Sequence, residues 1–184
     1  MILLCIVTIF SKSTTANADD RYVKLCERYF TEFAEDYGKF GQKDGFTYLY
    51  SDKKNTATIV AIPMEQKKVA VPEKINGKTV TKIELMDVFS CSSNYYFRDE
   101  FYGEHEDNPV PKVEYLSIPK TVKVINIYAG IGLTEGYCGE LQSYLVHLKK
   151  FNVASANKWY RSYKGMLYTK NGKKLITVPR KYTA

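Results

Sequence analysis

The sequence predicts a strand-rich α/β fold in which the chain winds into a coiled scaffold with short helical turns. Three features predict it: a strand-proline phrase that recurs, two hairpins, and a spacing of three between apolar residues after the proline. In the clearest copy of the phrase, Leu116 and Ile118 alternate with polar residues, and Pro119 ends the strand. Val122 and Ile125 then follow three residues apart, a spacing that is typical of a short helical turn.

Two further copies of the phrase are present. One covers Val69–Ile75 and continues through Val80 to Ile83, and another begins at Leu175–Pro179. We expect each copy to add a strand and a turn to the scaffold, so that successive copies stack side by side.

The copy at Leu175 predicts an exposed edge. A coil of a repeat protein covers its apolar edge with the next coil, and this copy lacks the apolar step that follows Pro119. We therefore expect Leu175, Ile176 and Val178 to be more exposed than Leu116 and Ile118. The chain would then be a piece of a longer repeat protein or would close this edge by association.

Two alternating segments predict hairpins. The first spans Gly45–Ile62 with a turn at Ser51–Asn55, and the second spans Gly165–Val178 with a turn at Asn171-Gly172. Between the copies of the phrase lie two expected insertions, at 92–111, rich in aromatic and acidic residues, and at 130–139, rich in glycine. Insertions in repeat scaffolds fall in loops, and such loops often bind ligands.

Residues 1–18 have the pattern of a signal peptide. Ile2–Phe10 is an apolar run too short to span a bilayer as a helix, and Ala16-Asn17-Ala18 has the small-x-small form of a cleavage site. The sequence thus predicts export, to the cell surface or the medium, with no transmembrane anchor in the mature chain. The alternative is that this segment is an N-terminal strand.

Residues 19–40 predict an amphipathic helix. Asp19 or Asp20 can cap its first turn, and Gly38 lies where it would end. We expect its apolar stripe to cover the first coil, although a partner-binding helix is the alternative. The stripe consists of Tyr22, Cys26, Tyr29, Phe30, Phe33 and Tyr37.

Cysteine usage predicts no disulfide framework. Removal of Cys5 with the signal segment leaves Cys26, Cys91 and Cys138, an odd and widely spaced set. These spacings fit buried small hydrophobic residues better than a metal or redox motif. The sequence leaves their pairing open.

The formal charge of +7 is uneven along the chain. No acid follows Glu140, and this basic C-terminal half could contact anionic polymers such as acidic glycans, whereas an exported chain does not favour nucleic acid. Its ten basic residues are Lys149, Lys150, Lys158, Arg161, Lys164, Lys170, Lys173, Lys174, Arg180 and Lys181.

Several of these segments resemble the BspA-type leucine-rich repeats of bacterial surface and secreted proteins. Val71–Ile83, with its Asn-Gly turn, looks like an opening repeat of that family, and Asp87–Cys91 is similar to its following segment. Leu148–Val153, Asn157 with Tyr160–Ser162, and Gly165–Tyr168 resemble another stretch found in such proteins. The resemblance covers most of the chain from Gly45 to Thr183, and Val88 departs from the usual alanine.

The resemblance implies a right-handed leucine-rich-repeat solenoid over residues 41–184, in a protein that is exported and binds or adheres. The resemblance implies no catalytic residue and identifies no binding partner. We accordingly expect a non-enzymatic module that binds an extracellular protein or glycan.

Catalytic and metal-binding patterns are not evident in the sequence. His105 and His147 lie in unrelated contexts, and there is no zinc, nucleophile or dinucleotide motif, so we predict no enzyme activity, no metal and no cofactor. The alternative function is an accessory or catalytic domain of a cell-wall or carbohydrate-active enzyme. That alternative requires two carboxylates facing each other across a concave site.

Exposed aromatic residues are the candidate binding residues. They could anchor a protein partner or stack on sugar rings, or they could fold back and pack against the scaffold. The candidates are Tyr95, Tyr96, Phe97, Phe101, Tyr102 and Trp159.

Export makes a direct prediction. If cleavage follows Ala18, mass spectrometry of the protein from its native host should find a mature chain that starts at Asp19. An intact chain starting at Met1 in the cytoplasm would contradict the predicted localisation.

Overall fold

The computed structural model describes residues 39–85, 111–127 and 145–182. The expected signal peptide, Cys26, Cys91, Cys138 and nearly all of both insertions lie outside these ranges. The described residues form twelve strands: β1 Lys39–Lys43, β2 Phe46–Ser51, β3 Thr56–Ala61, β4 Lys68–Ala70, β5 Lys74–Ile75, β6 Lys78–Leu85, β7 Tyr115–Ile118, β8 Val124–Ile127, β9 Lys150–Val153, β10 Tyr160–Tyr163, β11 Met166–Thr169 and β12 Leu175–Thr177.

The strands form three sheets. The largest has the order β1-β2-β3-β6-β5, with β8 also paired to β6. Its first three strands are antiparallel neighbours, whereas β3, β6 and β8 run parallel. A second sheet holds β4, β7 and β9 in parallel, and a third holds β10, β11 and β12 in antiparallel order.

Two ladders of apolar side chains, stacked by parallel pairing, form the centre of the core. In the largest sheet, Ile59 pairs with Ile83, and Ile83 pairs with Ile125. In the second sheet, Leu116 lies between Val69 and Phe151 in the same way, and all six side chains are buried. Because neighbouring residues of a strand point to opposite faces, these ladders fix which residues face solvent.

The predicted fold class, a leucine-rich-repeat solenoid with short helical turns behind an N-terminal helix, is wrong. The described residues contain strands and no helix, and their sheets curl into a half-barrel. The spacing of three that predicted a helical turn belongs to Val122, just before β8, and Ile125, within β8. In the copy of the phrase that starts at Val69, the same spacing between Val80 and Ile83 comes from a β-bulge. Ala57 pairs with Val80 and the next residue of β3 pairs with Lys82, so β6 holds one extra residue at Thr81. Val80 and Ile83 are therefore both buried within one strand.

The helix predicted over residues 19–40 lies outside the described residues except for its end. Lys39 and Phe40 belong to β1, which pairs with β2 in antiparallel register, so a helix there could not extend to residue 40. The extended conformation is fixed by this pairing, in which Phe40 lies opposite Leu49.

Both predicted hairpins are confirmed, as β2-β3 and β11-β12. At Asn171-Gly172 only the glycine has a positive φ, of 73°, and the Asn171 side chain instead accepts hydrogen bonds from Thr169 Oγ1 and the amide of Lys173. Positive φ at both residues occurs in the other Asn-Gly turn, Asn76-Gly77, which joins β5 to β6.

The third stacked strand of the phrase is not the one predicted. β9, which contains Phe151, pairs with β7 in parallel, whereas the segment at Leu175 forms the edge of the separate antiparallel sheet. The expected difference in exposure is confirmed: Leu175 is 45% exposed and Leu116 is 0% exposed. Ile176 and Val178 are half-buried, and Ile118 is buried.

Asn157 connects the second sheet to the third. Its side chain is fully buried, and its amide group donates to the carbonyl oxygens of Pro119 (2.8 Å) and Val122 (3.0 Å). Its Oδ1 accepts from the amides of Trp159 and Tyr160, both at 2.8 Å. One side chain thus satisfies four backbone groups, which holds the turn after β7 against the start of β10.

Replacing Asn157 by alanine should strongly destabilise the protein. The change leaves these four backbone groups, one buried and three partly buried, without their partner, so we expect the free energy of unfolding to fall by about 2–4 kcal/mol. Urea unfolding of the full chain measures this. Asn152→Ala is a matched control, because Asn152 forms no side-chain hydrogen bond with the described residues. Equal loss in both variants would contradict the role given to Asn157.

Candidate ligand-binding groove

An open groove of about 570 Å³ lies on the solvent-facing side of the largest sheet. Strands β2, β3 and β6 form its floor, and the turn between β2 and β3 closes one end. We refer to it as the sheet groove. Its lining consists of Lys39, Leu49, Tyr50, Ser51, Asp52, Lys53, Lys54, Thr56, Thr58, Lys82 and Glu84.

The apolar ladder explains why the floor of the groove is polar. Ile59 and Ile83 face the core, so the neighbouring residues Thr58, Lys82 and Glu84 face the opposite side. Thr58 pairs directly with Lys82, which brings a hydroxyl and an ammonium group together on the floor. The polar floor therefore follows from the same register that fills the core.

Asp52 anchors the closed end of the groove. Its carboxylate lies 2.8 Å from Lys78 Nζ and 2.9 Å from Lys39 Nζ. Hydrogen bonds from Lys78 and then Lys39 lower the pKa of Asp52 from 3.8 to about 2, and the same contact raises the pKa of Lys39. Asp52 is consequently ionised at neutral pH, and it links β1 and β6 to the turn after β2.

A second group of charges occupies the open end. Glu84 Oε2 lies 2.6 Å from Lys82 Nζ, and Glu84 Oε1 accepts a hydrogen bond of 3.2 Å from the amide of Asn126 on β8. These contacts hold the Glu84 side chain across β6 and β8. The groove thus contains two oriented carboxylates, with hydroxyl-bearing and lysine side chains between them.

The structure describes only one of the aromatic candidates. Trp159 is 38% exposed, lies just before β10, and has Lys123 Nζ 5.5 Å from its ring centroid. It does not line the sheet groove. The other candidates, Tyr95, Tyr96, Phe97, Phe101 and Tyr102, lie outside the described residues.

Sequence reasoning missed the groove. The alternation of polar residues around Thr58 and around Lys82 was a usable signal for the two outward faces. The sequence did not reveal that the two faces lie side by side, since that depends on the parallel pairing of β3 with β6.

The described ranges contain neither a cluster of metal-binding side chains nor a helix that could span a membrane. In residues 39–85, 111–127 and 145–182, no group of three or more His, Cys, Asp or Glu side chains could hold a metal ion. No helix in these ranges is long and apolar enough to cross a membrane. His147, the only histidine among these residues, is exposed.

Comparison with known proteins gives little further information. No family model matches the chain, and no curated protein matches it. The crystal structure of the pneumococcal vaccine antigen PcpA is similar at 13% sequence identity and a TM-score of 0.20, covering 78% of this chain. The aligned part is 57% of the PcpA chain. The resemblance to BspA-type repeats thus stays a prediction.

The ion pairs of Asp52 should make stability depend on acid pH. Because its folded-state pKa of about 2 lies below the ordinary 3.8, the carboxylate contributes fully above 3.8, and the contribution is lost as the pH falls toward 2. We expect wild type to be more stable than Asp52→Asn at pH 6, and this difference to shrink by pH 2.

Thermal unfolding across this pH range measures the difference. Asp44→Asn is the matched control, because Asp44 lies exposed in the turn between β1 and β2 and forms no ion pair within the described residues. A constant difference between wild type and Asp52→Asn from pH 6 to pH 2 would contradict the assignment.

Proposed function

We propose that this protein is a non-enzymatic binding module that takes a glycan in the sheet groove, in an exported protein at the cell surface. The observation that carries the proposal is the mixture of groups on the groove floor. Sugar hydroxyls both donate and accept hydrogen bonds, and Thr58, Lys82 and Glu84 together supply both kinds of partner. The apolar N-terminal run at residues 2–10 supports export.

The shape and lining of the groove also suit a sugar. Its volume of about 570 Å³ lies within the range of small-ligand sites. Leu49, although largely buried, gives it a small apolar part, while Ser51 and Thr56 add hydroxyls. A protein partner would favour a larger and more apolar centre.

A charge-neutral double variant tests the proposal. Lys82→Met with Glu84→Gln removes the ion pair and two hydrogen-bonding charges from the floor without changing the net charge. We expect at least a tenfold loss of affinity for the neutral oligosaccharide that binds best on a glycan array, because hydrogen bonds to charged groups contribute about 1.5–3 kcal/mol.

The matched control is Lys112→Met with Glu65→Gln. This pair forms an exposed ion pair of 2.5 Å outside the groove, and its removal also leaves the net charge unchanged. We expect its affinity to stay within about twofold of wild type, since exposed ion pairs contribute little. No glycan bound by wild type, or equal loss in both double variants, would contradict the proposal.

The groove also raises the alternative of a carbohydrate-active enzyme, because Asp52 and Glu84 both line it. A glycosidase needs one protonated carboxyl group and one carboxylate. The low pKa of Asp52 excludes it as the proton donor, so Glu84, paired with Lys82, would have to fill that role alone.

An assay for new reducing ends separates these functions. We expect none to be released from neutral polysaccharides by the wild-type chain. Release that is abolished by Glu84→Gln would instead establish the enzyme and overturn the binding proposal.

A further inference from the structure

The solvent-facing side of the antiparallel sheet is a second candidate surface, separate from the sheet groove. Exposed and half-buried residues alternate along β10, and Arg161 and Tyr163 lie on its exposed side. Arg161 pairs with Tyr168 of β11, and Tyr168 pairs with Leu175 of β12. We call this surface the basic aromatic face; it comprises Trp159, Arg161, Tyr163, Tyr168, Lys170 and Leu175.

The charged side chains in the segment that forms this face are all positive. Residues 145–182 contain ten lysines and arginines and no aspartate or glutamate. Within the described residues, only Lys149 of these ten forms an ion pair, with Glu114 at 2.8 Å. The remaining positive charges face solvent or backbone, as Lys170 does in donating to the Ser155 carbonyl oxygen. Such a surface attracts polyanions.

The exposed rings are arranged next to these cations. Trp159 is 38% exposed and Tyr163 is 52% exposed, values that leave large parts of both rings in water. Lys123 Nζ lies 5.5 Å from the Trp159 centroid, and Lys164 Nζ lies 5.8 Å from that of Tyr163. Each ring therefore has a positive charge beside it.

Packing restrains Arg161 and Tyr163 before any ligand binds. The Arg161 guanidinium lies against the turn at Gly172, where an added Cβ would be 2.7 Å from its Nη2. The Tyr163 ring meets the Tyr168 ring edge-on, with centroids 6.4 Å apart. Side chains held in place lose less conformational entropy on binding, which favours a specific contact over a diffuse one.

We propose that the basic aromatic face binds an acidic polysaccharide. Its sugar rings would stack on Trp159 and Tyr163 while its carboxylate or sulfate groups pair with Arg161 and the neighbouring lysines. A polymer that carries both an apolar ring face and an anion on successive units matches the alternation of rings and cations along β10. The proposal is independent of the groove, because none of these residues lines it.

The experiment measures binding of the full chain to polygalacturonate over a range of salt concentrations. Uncharged amylose and poly(dT) serve as comparison polymers. We expect polygalacturonate to bind more tightly than either, with an affinity that falls as salt rises. If poly(dT) binds more tightly than polygalacturonate, the face binds nucleic acid instead. If amylose binds as tightly as polygalacturonate, charge does not contribute to binding. Either result overturns the proposal.

Two variants separate stacking from charge. Arg161→Gln should lower the affinity about tenfold and reduce its salt dependence, because a charge-assisted contact is lost. Trp159→Leu should weaken binding with an unchanged salt dependence, because it removes a ring and no charge. Lys43→Gln, at an exposed position in β1, is the control for net charge and should stay within about twofold of wild type.

If Trp159→Leu does not fold, as judged by thermal unfolding, Arg161→Gln against Lys43→Gln still decides the proposal. Equal affinities of Arg161→Gln and Lys43→Gln for polygalacturonate would overturn it. Loss of this binding in the Lys82→Met, Glu84→Gln variant would likewise move the site to the groove.

Discussion

The parallel register of β3, β6 and β8 is the constraint on which the rest of the structure depends. It stacks Ile59, Ile83 and Ile125 into one buried row, and burial of such side chains is the main stabilising term in a core of this kind. A shift of one residue would turn Lys82 and Glu84 inward and expose Ile83. Because that exchange would bury two charges, the register is strongly fixed, and with it the polar floor of the groove.

The β-bulge at Thr81 adjusts this register. It lets β6 bury Val80 and Ile83 three residues apart while Lys82 still lies beside Thr58. Without the extra residue, the alternation would place Val80 and Ile83 on opposite faces. Because of the bulge, β6 contributes both to the buried apolar row and to the polar floor of the groove.

The strands and hairpins could be predicted from local patterns, but their arrangement could not. Alternation identified β2, β3, β7 and β11, and proline marked the ends of several strands. The spacing of three at Val122 and Ile125 predicted a helical turn, but Val122 lies just before β8 and Ile125 lies within it. At Val80 and Ile83 the same spacing comes from a β-bulge. Likewise, the stacked partner of Leu116 is Phe151, and only long-range pairing distinguishes it from the more similar segment at Leu175.

The candidate sites, like the strands, were predictable only where a local pattern of residues identified them. Trp159 was predicted from its chemistry, and the structure places Lys123 Nζ 5.5 Å from its ring centroid. The groove was missed because Thr58 and Lys82 lie 24 positions apart in the sequence and come together only when β3 pairs with β6. Local sequence propensity cannot predict this long-range pairing, because the packing of the core determines it.

The most direct measurement of the central claim is amide chemical-shift mapping of the full chain with a neutral oligosaccharide selected on a glycan array. The account predicts that the perturbed amides cluster at Thr58, Lys82 and Glu84 and at the turn around Asp52. Perturbation confined to other surfaces, with these amides unchanged at saturation, would contradict it.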